Sequence, residues 1–138
     1  MKSVADIFGI ETITKDAYRY ALTHSSFTKE KELPYNECYE RLEFLGDAVL
    51  KLTISDVLFK MFPDFQEGQL SKIRSIVVSD NTLADIAKKN GLQDLIIMSK
   101  HEEKQGCRKL NSICACAFEA TLGAYYLDGK YKELETYI

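Results

Sequence analysis

Three acidic residues stand three and four apart in the run Tyr39-Glu40-Arg41-Leu42-Glu43-Phe44-Leu45-Gly46-Asp47. On a helix, at about 100° per residue, Glu40, Glu43 and Asp47 fall within an arc of roughly 60° and make one acidic edge. Like charges so spaced destabilise an isolated helix by about 0.2–0.5 kcal/mol per pair, so a compensating cation is expected. The plainer account of Glu40 is a first-turn acid favoured by the helix dipole, with the other two facing water. It fits Glu43 less well, because Leu42, Phe44 and Leu45 surround it. Gly46 beside Asp47 also costs about 0.5–1 kcal/mol relative to alanine in a helix interior, a cost accepted where another backbone comes close. Asp47 is therefore expected at a tight helix crossing.

A fourth acid, Glu119, is alone among Ile113, Ala115, Ala117, Phe118, Ala120 and Leu122. A carboxylate on a helix apolar nearly all round is expected to be buried, and a buried charge needs a partner. Two partners are open: an arginine such as Arg41 or Arg74, or a metal shared with the acidic edge. Hard oxygen ligands of this kind suit Mg²⁺ or Mn²⁺. No serine, histidine or cysteine nucleophile arrangement stands beside them, which agrees with a metal role.

The elements that must position these acids are helical, and the expected fold class is all-α. Thr14 can cap a helix carrying Ala17, Tyr18, Ala21 and Leu22, followed by a polar loop from Thr28 to Pro34. Asn36 then caps a long helix with Leu42, Leu45, Val49 and Leu52, ending before Pro63. Asp64 and Glu67 read as a capping box for a helix through Leu70, Ile73 and Val77. A further helix holds Leu83, Ile86 and Ala87 and stops at Asn90-Gly91 in a left-handed turn. Leu95 to Met98 is the one candidate strand, and it has no partner. Lys100 to Lys109 reads as a charged loop, after which an apolar helix runs from about Leu110 to Tyr126 and closes at Asp128-Gly129. A last helix has barely begun at Ile138.

At 138 residues the chain is expected to form one domain over 1–138, with no repeat or linker to divide it. Its 46% hydrophobic and 28% charged residues exclude disordered and fibrous classes. The formal net charge of −3 supplies no general attraction for nucleic acid, unless bound cations reverse the local sign where a phosphate would sit. Cys38, Cys107, Cys114 and Cys116 lack zinc-ribbon spacing, and without a secretory signal upstream a reduced, cytoplasmic setting is expected. Cys114 and Cys116 would point about 200° apart on a helix and make poor co-ligands. The apolar stretch from Leu110 to Leu127 carries Glu119 at its middle, so a buried helix is expected rather than a membrane span.

The run from Tyr39 to Leu50 closely resembles the signature helix of the ribonuclease III family. The resemblance continues through Ala21 to Ser26, Glu67 to Ser71, Ser79 to Ala87, Glu102 to Lys104, and Ala117 to Ala120 on to Gly129, and so covers nearly the whole chain. It implies an all-helical endonuclease domain that forms a homodimer, with two equivalent metal sites along one valley holding double-stranded RNA. Glu43, Asp47 and Glu119 match the family's metal ligands, Asp47 and Glu119 being the catalytic pair. Glu40 and Glu67 match acids near the subunit junction, and His24 matches a structural hydrogen-bonding residue. The implied reaction is Mg²⁺-dependent phosphodiester hydrolysis, Mn²⁺ being a possible substitute, leaving 5′-phosphate and 3′-hydroxyl ends.

One position departs from the family pattern. Where an aspartate is expected three residues before the glutamate, this chain has Cys116, on the same face as Glu119. A thiol is a poor ligand for Mg²⁺, so three outcomes are open: a weakened nuclease, one tuned to a softer ion, or an RNA-binding or assembly homologue that does not cut. Lys100, Lys104, Arg108 and Lys109 are expected as solvated charges, with backbone phosphate contact the less favoured reading. No separate double-stranded RNA-binding domain is expected within this length. A helical protein-interaction module would leave the acidic edge and Glu119 unexplained.

Overall fold

A computed structural model describes residues 15–129. Thr14, expected as a cap, and the last helix expected toward Ile138 lie outside the described residues. Within them the order is α1 (Lys15–Ala21), α2 (Ser25–Glu30), α3 (Glu40–Met61), α4 (Glu67–Val77), α5 (Asp80–Lys89), α6 (Lys100–Lys104) and α7 (Asn111–Leu127). Short 3-10 turns at Tyr35–Glu37, Leu92–Leu95 and Cys107–Lys109 lie between them.

Helix α7 is the pillar of the fold. Every residue from Ala117 to Tyr125 is buried, as a helix without a polar face requires, and α1, α3 and α5 cover it. Leu50 and Ile54 of α3, Leu83 and Ala87 of α5, and Tyr18 of α1 complete the core. Two buried threonines satisfy themselves within their own helices: Thr53 donates to the Val49 carbonyl at 2.8 Å and Thr121 to that of Ala117 at 2.7 Å.

The closest approach in the core is between α3 and α7. A Cβ placed on Gly46 would lie 1.6 Å from the Glu119 carbonyl oxygen, and one on Gly123 would lie 2.3 Å from that of Leu42. Backbone therefore rests on backbone, and the crossing expected from Gly46 is present with Gly123 as its other half. By contrast α4 has no fully buried residue, and Ile76 on it, like Phe59 and Met61 at the end of α3, is largely exposed.

Several local expectations are corrected. The polar loop begins later than Thr28, because α2 runs to Glu30 from a cap made by His24, whose Nδ1 accepts from the Ser26 N–H at 3.1 Å. Asn36 is not the cap of the long helix. It sits in the 3-10 turn, and α3 begins at Glu40 after Tyr39, whose N–H is anchored on the Thr23 carbonyl at 2.9 Å. The box expected at Asp64 and Glu67 falls two residues later, where the Gln66 N–H donates to Gln69 Oε1 at 2.9 Å. Lys100 to Lys109 is not a loop throughout. Ser99 caps α6 through the Glu102 N–H, and Gly106, at φ +73°, turns the chain into the next 3-10 turn.

The candidate strand at Leu95 to Met98 amounts to one parallel bridge between Thr23 and Ile97. No sheet forms among the described residues, and the all-α expectation holds. Gly91, at φ +76°, closes α5 as expected.

Gly46→Ala drives a methyl group into backbone that cannot yield as a flexible side chain would. A loss of roughly 2–4 kcal/mol in unfolding free energy by urea titration is expected, larger than that of Gly68→Ala, whose Cβ would meet nothing within 4 Å.

Candidate metal centre

The glycine crossing sets the site. Glu43 and Asp47 flank Gly46 on α3, while Glu119, whose carbonyl lies against Gly46, shares α7 with Cys116. With no Cβ between the two backbones, these four side chains meet across the crossing in two pairs. The Cys116 thiol donates to Glu43 Oε1 at 3.1 Å. Glu119 shares a hydrogen bond with Asp47.

The electrostatics of the site are those of acids crowded out of water. Glu119 is only 8% exposed, and its pKa is pushed up to about 8, first by burial and then by the charge and hydrogen bond of Asp47, with Glu43 and Asp80 adding repulsion. Burial also pushes the Cys116 thiol up, helped by its bond to Glu43 and by the charges of Glu43, Glu119 and Asp80, so Cys116 is a neutral donor at ordinary pH. The Tyr39 hydroxyl is raised too, by burial first and then by Cys116 and Glu43, which places it beside the Cys116–Glu43 pair.

Among the described residues neither arginine offered as a structural partner forms an ion pair with Glu119. Arg74 donates to Ser55 Oγ at 2.9 Å, and the charges that shift Glu119 most are acidic. The nearest compensation in the site is Lys51, whose Nζ lies 3.1 Å from Asp47 Oδ2, one helical turn along α3.

Three carboxylates face one crossing, and Glu119 is pushed toward its protonated form by burial first and by the neighbouring acids second; this donor chemistry fits a hard divalent ion. Among the described residues no three metal-ligating side chains already surround a single point. The site stands as two hydrogen-bonded pairs, and the side chains must rotate toward one another to share an ion.

Other expected residues divide around this centre. Glu40 does not join the edge made by Glu43 and Asp47 but turns to the Tyr35 hydroxyl, beside a groove of about 820 Å³ that it lines with Tyr20, Leu45 and Leu127. Glu67 lies elsewhere, on a second groove with Phe59, Phe65 and Arg74. His24 is a structural cap stacked on Tyr39. Arg108 is not a solvated charge, since it pairs with Glu103 and donates to the Gln93 and Ile96 carbonyls, whereas Lys100, Lys104 and Lys109 are exposed. Cys114 and Cys116 diverge as their spacing predicts, Cys114 facing the Arg108 carbonyl, and all four cysteines are free thiols. No helix among the described residues is long and apolar enough to cross a membrane.

Sequence reasoning missed Asp80 and Lys51 as site residues. The reach of Asp80 to Glu119 and Cys116 depends on how α5 packs against α7, which has no trace in local spacing. Lys51 carried a signal that was available, a cation four residues after Asp47.

A family model described as Ribonuclease-III-like matches residues 15–138. Ribonuclease 3 of Oleidesulfovibrio alaskensis is 49% identical over 113 residues, covering 80% of this chain and 48% of that protein. Ribonuclease 3 of Clostridium botulinum is 54% identical over 109 residues, covering 78% and 46%. A crystal structure of the nuclease domain of ribonuclease III from Campylobacter jejuni superposes with a TM-score of 0.87 at 38% identity, over 99% of this chain and 90% of that one. A second structure of that domain, described for flexibility in its region of dimer formation, gives a TM-score of 0.88 at 38% identity, over 96% and 89%. With fold and site of this kind, the chain belongs to the ribonuclease III family. It spans about half the length of the curated relatives it matches.

Because the folded-state pKa of Glu119 is raised from 4.5 to about 8, its contribution to stability is full below pH 4.5 and is lost as pH rises through about 8. Thermal melts in chelator from pH 5 to 9 should show the chain losing ground to Glu119→Gln as pH rises. Parallel curves for the two proteins would contradict this assignment.

Proposed function

We propose that the chain is a divalent-metal-dependent endoribonuclease domain that cuts double-stranded RNA as a homodimer in the cytoplasm. The observation that carries this reading is the meeting of Glu43, Asp47 and Glu119 across the α3–α7 crossing with no arginine on Glu119. The family membership and the likeness to nuclease domains support it.

Asp47 and Glu119 would hold the metal and Glu43 would complete its acidic surround. Bound there, Mg²⁺ or Mn²⁺ supplies Lewis acidity toward a phosphate and a nucleophilic water. The chain's own part begins with burial, which makes Glu119 protonated when the metal is absent, so loading releases a proton to solvent. Glu43, held by Cys116, must leave that bond to turn inward. Hydrolysis adds water at phosphorus and breaks the bond to the 3′-oxygen, leaving 5′-phosphate and 3′-hydroxyl ends.

A second reading, a homologue that binds RNA or assembles with a partner and cuts weakly or not at all, is favoured by one observation. Cys116 stands where the resemblance leads one to expect an aspartate, and it brings no charge to the site. On the nuclease reading the missing ligand is replaced by water, which Mg²⁺ commonly retains.

The homodimer is supported by the apolar rim of the Glu40 groove, where Phe44 is 83% exposed and Tyr35 and Leu127 are both 60% exposed. Such a surface is stable in water when a second copy covers it.

Two measurements test this. In a duplex-RNA cleavage assay, the chain should cut under Mg²⁺ or Mn²⁺, Cys116→Asp should cut at least tenfold faster under Mg²⁺, on the order of one pK unit of ligand charge, and Glu119→Gln should be silent. If neither the chain nor Cys116→Asp cuts, the nuclease reading falls. In sedimentation velocity, Phe44→Glu should convert a dimer to a monomer, and an unchanged dimer would remove Phe44 from the interface.

A further inference from the structure

The ion pair between Lys51 and Asp47 puts a cation directly on one of the candidate metal ligands. Lys51 Nζ lies 3.1 Å from the carboxylate that also bonds to Glu119, and both side chains are about half exposed, at 51% and 46%. The buried Glu119 carboxyl on one side and a solvated ammonium on the other thus share one half-exposed carboxylate. Of the other cations near α3 and α7, Lys60 pairs with Asp56 at 3.1 Å, Arg74 with Ser55, Arg108 with Glu103 and Lys88 with Asn111 Oδ1 at 2.7 Å, while Arg41 is exposed at the start of α3.

We propose that Lys51 is a positioning residue with two states: it neutralises Asp47 while the metal is absent, and on metal binding it is released to contact a phosphate of the RNA backbone beside the site. The inference rests on the metal-dependent reading above. Its physical basis is exclusion, because an oxygen directed at a divalent ion has little left for a singly charged ammonium, and the two cations repel at this distance. An exposed pair is weak, so its loss on loading is easily offset. The freed ammonium, on a flexible four-carbon stem one turn from the metal, then adds a positive point to a surface whose chain charge is otherwise acidic.

The test compares the chain with Lys51→Gln and Lys51→Arg, the one position changed being exposed enough to leave the fold intact. Mn²⁺ affinity is read from thermal shift without RNA, and Lys51→Gln should bind Mn²⁺ about two- to tenfold more tightly while Lys51→Arg stays near the parent. Binding of a short duplex RNA is read by fluorescence anisotropy in the first phase after mixing, before any cut. With Mn²⁺ present, Lys51→Gln should lower the slope of log affinity against log salt by about one, whereas in chelator it should leave the slope unchanged. An unaltered Mn²⁺ affinity in Lys51→Gln overturns the competition. A salt slope that is insensitive to Lys51 in Mn²⁺, or equally sensitive in chelator, overturns the release to phosphate. If the parent chain itself shows no Mn²⁺ shift, it is the metal reading that fails.

Discussion

Everything at the candidate centre depends on two helices touching through their backbones. Gly46 rests on the Glu119 carbonyl and Gly123 on that of Leu42. A larger residue at either position would move α3 away from α7, and the acids of the two helices would then face each other through water. Close approach is costly for the sequence, since glycine in a helix interior sacrifices stability. The burial of α7 along its length supplies the compensation.

The same contact creates the electrostatic problem that defines the site. Glu119 is forced into a nearly dry position next to Asp47, within range of Glu43 and Asp80, and it answers by holding a proton. Cys116 moderates the crowding where an acid would worsen it, as a neutral donor to Glu43. The metal-free protein therefore solves by protonation, thiol hydrogen bonding and the Lys51 ion pair what a divalent cation would solve by charge. A neutral thiol on Glu43 adds no charge to the crowded acids, which gives Cys116 a physical role whether or not the chain cuts.

Much of this was legible in the sequence because it lies in residues that violate local rules. A lone carboxylate on an apolar helix and a glycine inside a charged one both signal tertiary demands, and Glu119 and Gly46 were found that way. Gly123 gave no such signal, since small residues are unremarkable on α7. The short helices α2 and α6 escaped for a different reason. They are held by caps from His24 and Ser99 rather than by periodic apolar faces. Glu40 seemed one with Glu43 and Asp47 by angle alone, but as the first residue of α3 it is drawn to the Tyr35 hydroxyl. The pairing of Asp80 with the centre is long-range and left no mark in spacing.

The most direct measurement is a crystal of this chain soaked in Mn²⁺ and read by anomalous scattering. The account predicts one strong peak at the α3–α7 crossing with oxygens of Asp47 and Glu119 at about 2.0–2.2 Å, the range of a compact octahedral cation. A fully loaded crystal with no peak there, or with Asp47 and Glu119 still bonded to each other, would contradict it.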